Sequence, residues 1–501
     1  MDNVSFTLCI VLLVNIINEW NNLNKYKFIK LGVEKLMDYD VLILGGGIIG
    51  CAVAYELSKY NLNIAVIEKD FDIADDISFF NTSIVYDGCE CKDNLISALE
   101  EMGNSMLSSI TKKLNVSFKK LPNLTVATDE KSLKVLEERY KRSLDRALTG
   151  IKLIDGDEAR KINQRLGDDV IKALYSESTA IIKPYDLAIA YGEIAYDNGV
   201  VFRLEEIVTD IQSLSNGFRV TTNKNKFKCK FVVNTIPGEK YLLDDIREED
   251  NAGFNLKTYY VVLNNLKNID KNSILSKIED KDNSIVFMPS SCNELIIGVN
   301  SSTELSKKEV INKVKMIMPD LKRKDVKDVF YDNHHKDIMI IDDSDANKGY
   351  IKITGKYYGE VTISPAIATI ITETIVEDLK CGENKSFVDK RREFYKFRDL
   401  SIEERNELIK LDNRYGKIIC MCNQITEGEI VDSIRRPLGA RTVEGIKRRT
   451  AATFGDCNGA YCISSIIDIL ARELDKKPTE IVEDSKNSHV LTCRIKEFNE
   501  I

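Results

Sequence analysis

The sequence predicts an α/β protein with a Rossmann-like nucleotide-binding domain, an antiparallel sheet set into its later part, and a small helical C-terminal domain. Three observations predict it. A glycine-rich turn, Gly45-Gly46-Gly47-Ile48-Ile49-Gly50, joins a strand-like apolar run to a helix-like one. Alternating strand-like runs, among them Thr258 to Leu263 and Ser284 to Met288, occupy the region 250–335. Four cysteines gather near the C-terminus as Cys420-Met421-Cys422 and Cys457-Asn458-Gly459-Ala460-Tyr461-Cys462.

Composition sets the outer limits. The 501 residues are 43% hydrophobic and 30% charged, the balance of an ordinary globular chain. That excludes a disordered, collagen-like or multi-span membrane protein. A formal net charge of -8 argues against a general nucleic-acid binder. There are 12 cysteines and only 3 histidines, so thiolate chemistry is favoured over imidazole chemistry. A chain this long has no need of disulfide staples, and no basic-headed secretory signal precedes the apolar stretch Phe6 to Ile17. That stretch is too short to span a bilayer. Residues 1–36 are expected to be an extension, with Met37 as the natural start. The run Leu31-Gly32-Val33-Glu34-Lys35 can be encoded by a purine-rich stretch like a bacterial ribosome-binding site. The expected compartment is the cytoplasm.

The glycine turn has a specific physical reading. Asp40-Val41-Leu42-Ile43-Leu44 reads as a buried parallel strand. Gly45 permits the tight turn, Gly47 lets a pyrophosphate approach the backbone, and Gly50 lets helix and strand pack closely. The helix N-terminus then offers free N–H groups to the phosphates. Glu68 ends the next apolar run, Ile64-Ala65-Val66-Ile67, where a carboxylate can bind ribose hydroxyls and disfavour a 2′-phosphate. The pattern fits FAD and NAD equally.

Cys420, Cys422, Cys457 and Cys462 supply the four thiolates that either zinc or an iron–sulfur cluster requires. Thr426 and Glu429 form a capping box for one helix, Val443 to Phe454 reads as a second, and Ile463 to Leu474 as a third. The basic residues Arg435, Arg436, Arg441, Lys447, Arg448 and Arg449 are expected partly to offset the anionic centre. The remaining cysteines, 9, 51, 89, 91, 229, 292, 381 and 493, read as packing or surface residues.

From Met37 to about Ile481 the chain resembles bacterial FAD-dependent oxidoreductases of the anaerobic glycerol-3-phosphate dehydrogenase large-subunit type. These join a flavin domain of the D-amino-acid-oxidase class to a [2Fe-2S] domain like bacterioferritin-associated ferredoxin. The tail segments Tyr415 to Cys420, Thr426 to Val431, Arg436 to Thr442 and Gly445 to Thr450 carry the likeness. In the flavin half Pro184-Tyr185, Gly298 and Ser364 to Ala368 also align. The resemblance implies an α/β Rossmann-like FAD-binding domain with an antiparallel-sheet substrate domain, plus a small helical C-terminal iron-sulfur domain. It implies FAD bound through Gly45, Gly47, Gly50 and Glu68, with Ser78 and Asn81 along the flavin, Val208 at the adenine and Gly355 before the last flavin-contacting turn. It further implies a [2Fe-2S] cluster on the four cysteines, with zinc as the runner-up.

The departures cluster on the ring and substrate side. Asp76 and Ile77 stand for a glycine and threonine, Tyr86 for a flavin-side histidine, Pro237 for a glycine, and Glu360 for a glycine. Lys257-Thr258-Tyr259-Tyr260 replaces an Arg-Gly-Glu-Tyr segment. The segment whose arginine binds an anionic substrate is shortened to Tyr331 to Lys336, with no arginine. Tyr86 is therefore expected beside the ring, and Lys257 and Tyr260 at the substrate.

The expected organisation is an extension at 1–36, a flavin domain at 37–384 with a substrate subdomain inserted near 250–335, a charged linker at 385–413, a cluster domain at 414–481 and a tail at 482–501. Residues 129–148 are expected as a solvated helix. The expected function is oxidation of a small hydroxy acid or polyol phosphate at FAD, with electrons leaving through the cluster to a partner protein or second flavoprotein subunit. Two other readings stand beside it: a non-catalytic electron-relay or scaffold subunit, and an amino-acid dehydrogenase.

Overall fold

The computed structural model describes residues 37–75, 84–237, 241, 256–264, 271–289, 295–334, 340–342, 348–354 and 357–493. The expected extension, together with Ser78, Asn81 and Gly355, lies outside the described residues. Among the described residues no helix is long and apolar enough to cross a membrane.

The first apolar run forms the strand Tyr39–Leu44, which lies inside an eight-stranded sheet. It pairs in parallel with Ile64–Ile67 on one side and Lys226–Asn234 on the other. Both of its faces are covered, which is why its sequence does not alternate. Val41 and Ile43 face a core shared with helices Ile48–Leu57, Pro184–Asp197 and Glu360–Leu379. Leu42 and Leu44 face the antiparallel strands Val208–Leu214 and Gly217–Thr222. Pro365 inside helix Glu360–Leu379 cannot donate to the Val361 carbonyl; the Ser364 hydroxyl donates to it instead, at 3.0 Å.

The substrate-side sheet also has eight strands, and it is larger than the insertion expected at 250–335. Its order is Val326–His334, Leu256–Leu263, Leu295–Ser301, Ser284–Pro289, Ile274–Ile278, Asn123–Ala127, Lys172–Ser176 and Ile151–Asp155. Three strands therefore come from residues 123–176. All pairs are antiparallel except Asn123–Ala127 with Ile274–Ile278. The sequence hid this contribution because the three strands are short and interrupted by helix Glu130–Asp145. That helix is not wholly solvated: Leu136 is buried with Ala127 and Leu174 of the sheet.

The C-terminal domain has its own core, built from helices Glu427–Arg435, Val443–Thr450 and Ile463–Leu474. Capping boxes occur at Thr426/Glu429 and Ser401/Glu404, as the sequence indicates. The second helix ends at Thr450 instead of Phe454, because Ala451 turns left-handed at φ +65°. The charged segment 385–413 is strapped down. Asp389 accepts from the Tyr55 hydroxyl at 2.8 Å, and Arg392 forks onto Asp197 at 2.9 and 2.7 Å.

Candidate functional site

The glycine turn is shaped for a pyrophosphate. Gly45 has φ +101°, a conformation side chains disfavour. A Cβ on Gly50 would lie 2.0 Å from the Gly45 carbonyl, so helix and strand meet there without room for one. A Cβ on Gly47 would meet nothing within 4 Å, so that face is open. Helix Ile48–Leu57 begins at Gly47 with no side-chain cap and no acid in its first turn. Its amides are thus left for an anionic ligand, which is what FAD presents. Glu68 sits beneath the turn, 8% exposed, and accepts from Gly46 N–H at 2.6 Å and Asp70 N–H at 3.0 Å. Val208 opens its strand at the sheet edge and packs against the core of Leu44 and Ile67.

Tyr86 and Tyr260 come together. Both line one cleft on the face of the substrate-side sheet, with Tyr358, Thr258, Met288 and Asn300. Tyr86 meets Tyr358 edge-on at 4.9 Å, and its backbone is held by Thr362 Oγ1 at 3.1 Å and Asn104 Nδ2 at 2.7 Å. Tyr260 stacks on Phe330 at 5.2 Å. Burial pushes its phenol pKa up, the Thr258 hydroxyl beside it pulls the other way, and no side chain makes a well-formed hydrogen bond to it. The nearby Thr258 hydroxyl donates to Asn300 Oδ1 at 2.8 Å instead. Glu360, which stands where the resemblance implies a glycine, turns back to accept the Tyr357 N–H at 3.0 Å.

Lys257 does not join them, and the expectation that it touches substrate is corrected. Successive residues of strand Leu256–Leu263 face opposite sides of the sheet. Thr258 and Tyr260 face the cleft. Lys257 faces away, pairs with Glu304 at 2.7 Å and covers the Tyr331 ring at 4.2 Å.

Among the cleft residues that escaped the sequence reading are Tyr358, Glu90 and Arg139. Arg139 comes from helix Glu130–Asp145, whose charged sequence resembles a solvated face. Its signal was weak: one arginine among several, on a helix of strong amphipathic pattern. No histidine lines the cleft among the described residues.

The four cysteines converge as two neighbouring pairs, Cys420 with Cys462 and Cys422 with Cys457. Among the described residues they do not form a closed metal cage of three or more ligands. Their surroundings nevertheless suit thiolates. The Cys457 sulfur faces the backbone N–H groups of Tyr461 and Gly459, and that of Cys462 faces Thr453 N–H. A Cβ on Gly455 would lie 2.2 Å from Cys422 Cβ, so a glycine is needed beside that ligand. Cys462 also caps helix Ile463–Leu474, whose N-terminal dipole favours a negative centre. The other cysteines of the described residues form no disulfides, and 51, 89, 91 and 229 are buried.

The basic residues near the cysteines do something other than offset them. Arg449 forks onto Asp72 at 2.6 and 2.7 Å, Arg448 pairs with Asp75, and Arg436 reaches Glu193 at 2.9 Å. All three acids belong to the flavin domain. These cations clamp the cluster domain to it. Arg435 and Lys447 pair within their own domain, with Glu473 and Glu444.

The chain matches two family models: FAD dependent oxidoreductase over residues 40–374, and BFD-like [2Fe-2S] binding domain over residues 418–472. It is 32% identical over 472 residues to a glycerol 3-phosphate dehydrogenase of Caloramator mitchellensis, covering 91% of this chain and 98% of that protein. It is 26% identical to a glycerol 3-phosphate oxidase of Mycoplasma genitalium, covering 68% and 95%. Its fold is similar to that of the dithionite-reduced, FAD-bound L-alpha-glycerophosphate oxidase of Mycoplasma pneumoniae, with a TM-score of 0.60, 21% identity, and coverage of 71% and 99%.

Proposed function

Since the chain belongs to the FAD dependent oxidoreductase family and carries a BFD-like [2Fe-2S] binding domain, we propose that it is a cytoplasmic dehydrogenase of a small hydroxyl-bearing anion of the glycerol 3-phosphate class. Its electrons pass to FAD and then, through the cluster, to a partner protein. The observation that carries this reading is the likeness to the Caloramator enzyme, which covers 91% of this chain and 98% of that protein.

FAD, when bound, supplies the hydride acceptor, and the cluster supplies a one-electron carrier. The chain supplies the geometry. Gly45, Gly47 and Gly50 seat the pyrophosphate at the helix N-terminus. Glu68 holds the turn from below and is assigned to the ribose hydroxyls. Val208 is assigned to the adenine, and Ser78, Asn81 and Gly355 to the flavin. Tyr86 and Tyr260 bound the substrate side of the cleft, and the Tyr260 hydroxyl, with Thr258 beside it, is assigned to a substrate oxygen. Cys420, Cys422, Cys457 and Cys462 hold the cluster.

Anaerobic addition of glycerol 3-phosphate, hydroxy acids and amino acids to the purified holoprotein tests this. Bleaching of the flavin by a hydroxyl-bearing anion is expected. Bleaching by amino acids alone would reassign the enzyme. No bleaching, with flavin and cluster both present, would make the chain an electron relay.

A further inference from the structure

The cleft has a cationic group in its wall that no hydrogen bond occupies. Arg139 lines the same cleft as Tyr86 and Tyr260, and its side chain is only 12% exposed. Among the described residues its one ionic partner is Glu90, with Nη1 3.7 Å from Oε1, beyond hydrogen-bond reach. A guanidinium stays charged at any working pH and carries five donors. Withdrawing them from water is costly unless an acceptor arrives. The next turn of the helix adds to the positive field. Arg142 has a buried Nε without a partner, and burial, then Arg139 and Arg146, press its pKa down.

The other charges around the cleft leave Arg139 available. Asp280 accepts from the backbone N–H groups of Asp282 and Asn283, both at 2.9 Å, and pairs with Lys131 at 3.1 Å. Lys281, Asp282 and Glu90 also line the cleft. Meanwhile the segment Tyr331 to Lys336, where an arginine for the substrate's anionic group is expected, contains none.

We propose that Arg139, from the helix Glu130–Asp145, anchors the anionic terminus of the substrate in this cleft, with the hydroxyl-bearing carbon toward Tyr86 and Tyr260. The planar fork of a guanidinium matches two oxygens of a phosphate or a carboxylate. The assignment rests on the dehydrogenase reading above. It moves the anion contact from the edge of the substrate-side sheet to a helix on another segment of the chain.

The test is anaerobic titration of the holoprotein, wild type against Arg139→Met and Arg139→Lys, with glycerol 3-phosphate, L-2-hydroxyglutarate and uncharged glycerol. Losing charge-assisted bonds to an anion is expected to raise its half-saturating concentration roughly 10–100-fold in Arg139→Met. The limiting bleaching rate should not fall to match, and Arg139→Lys should recover part of the loss. Any response to glycerol should be unchanged. Which anion bleaches the wild type separates phosphate from carboxylate. If the wild type is bleached by an anion and both variants titrate like it, the Arg139 assignment is overturned and the dehydrogenase reading survives. If neither anion bleaches the wild type, both fall.

Discussion

Arg436 Nε lies 2.9 Å from Oε1 of Glu193, with the two side chains 5% and 2% exposed. Arg391 of the linker takes the other carboxylate oxygen at 2.6 Å. One buried carboxylate is thus shared by guanidinium groups from two later segments. Glu193→Gln leaves Arg391 with Asp186 at 2.8 Å and Arg436 with only Asp432 at 3.4 Å, and is expected to cost about 3 kcal/mol. Arg392→Ala, which breaks a pair whose arginine is 56% exposed, should cost less than about 1 kcal/mol. Chemical denaturation of the holoprotein ranks the two; equal costs would show that the buried site is not the stronger tie.

The same carboxylates set a pH dependence. Burial opposes the charge of Glu193 and Asp186, but Arg391, joined by Arg436 at Glu193, outweighs it and holds both below the usual range. A depressed folded pKa contributes stability above the unfolded value, about 4.3 for Glu and 3.9 for Asp. That stability is lost as pH falls through the folded pKa. The segment 385–413 should therefore resist protease from neutral pH down to about pH 4 and become susceptible below it. Release already between about pH 6 and 5 would contradict this assignment.

Two glycines of the turn should fail differently. Gly47 has an extended backbone, φ -74° and ψ -171°, and open space where a Cβ would go. Gly47→Ala is expected to leave the apoprotein's melting temperature unchanged while weakening FAD retention through desalting. Gly50→Ala drives a Cβ to 2.0 Å from the Gly45 carbonyl. It should destabilise the apoprotein by at least about 1–3 kcal/mol.

Gly455→Ala probes the cysteine domain alone. Its Cβ would fall 2.2 Å from Cys422 Cβ, which shifts one ligand and leaves the glycine turn untouched. The variant should purify with flavin bound and with the cluster's absorbance and electron paramagnetic signal reduced. Full cluster content would remove Gly455 from the site.

The sequence was most legible where local chemistry repeats over many residues. Capping boxes, the glycine turn and the helix Ile463–Leu474 stand where the sequence places them, because each depends on neighbours a few positions away. The strands of 123–176 pair with one another across short, helix-interrupted spacings and join the rest of the sheet only through Asn123–Ala127, whose outer partner lies far off in sequence, as with Leu275 opposite Leu124; that single distant pairing is what the sequence does not show. Lys257 was misplaced for a simpler reason: in a strand, one position decides which face a side chain takes. The basic run near the cysteines shows the same limit. Its charge is plain in the sequence, but its acidic partners Asp72, Asp75 and Glu193 are not.

Asp72 stands between the two cofactor-binding regions. It holds Arg449 of the cluster domain, and two residues on, Ala74 N–H donates to the Gly46 carbonyl at 2.9 Å in the nucleotide turn. Each region thus helps to set the shape of a single short loop. Linkage of this kind is symmetrical: whatever free energy a filled cluster site lends to flavin retention, a filled flavin site returns to the cluster. Whichever sign that coupling takes, loading one prosthetic group during the protein's maturation changes the hold on the other by the same factor.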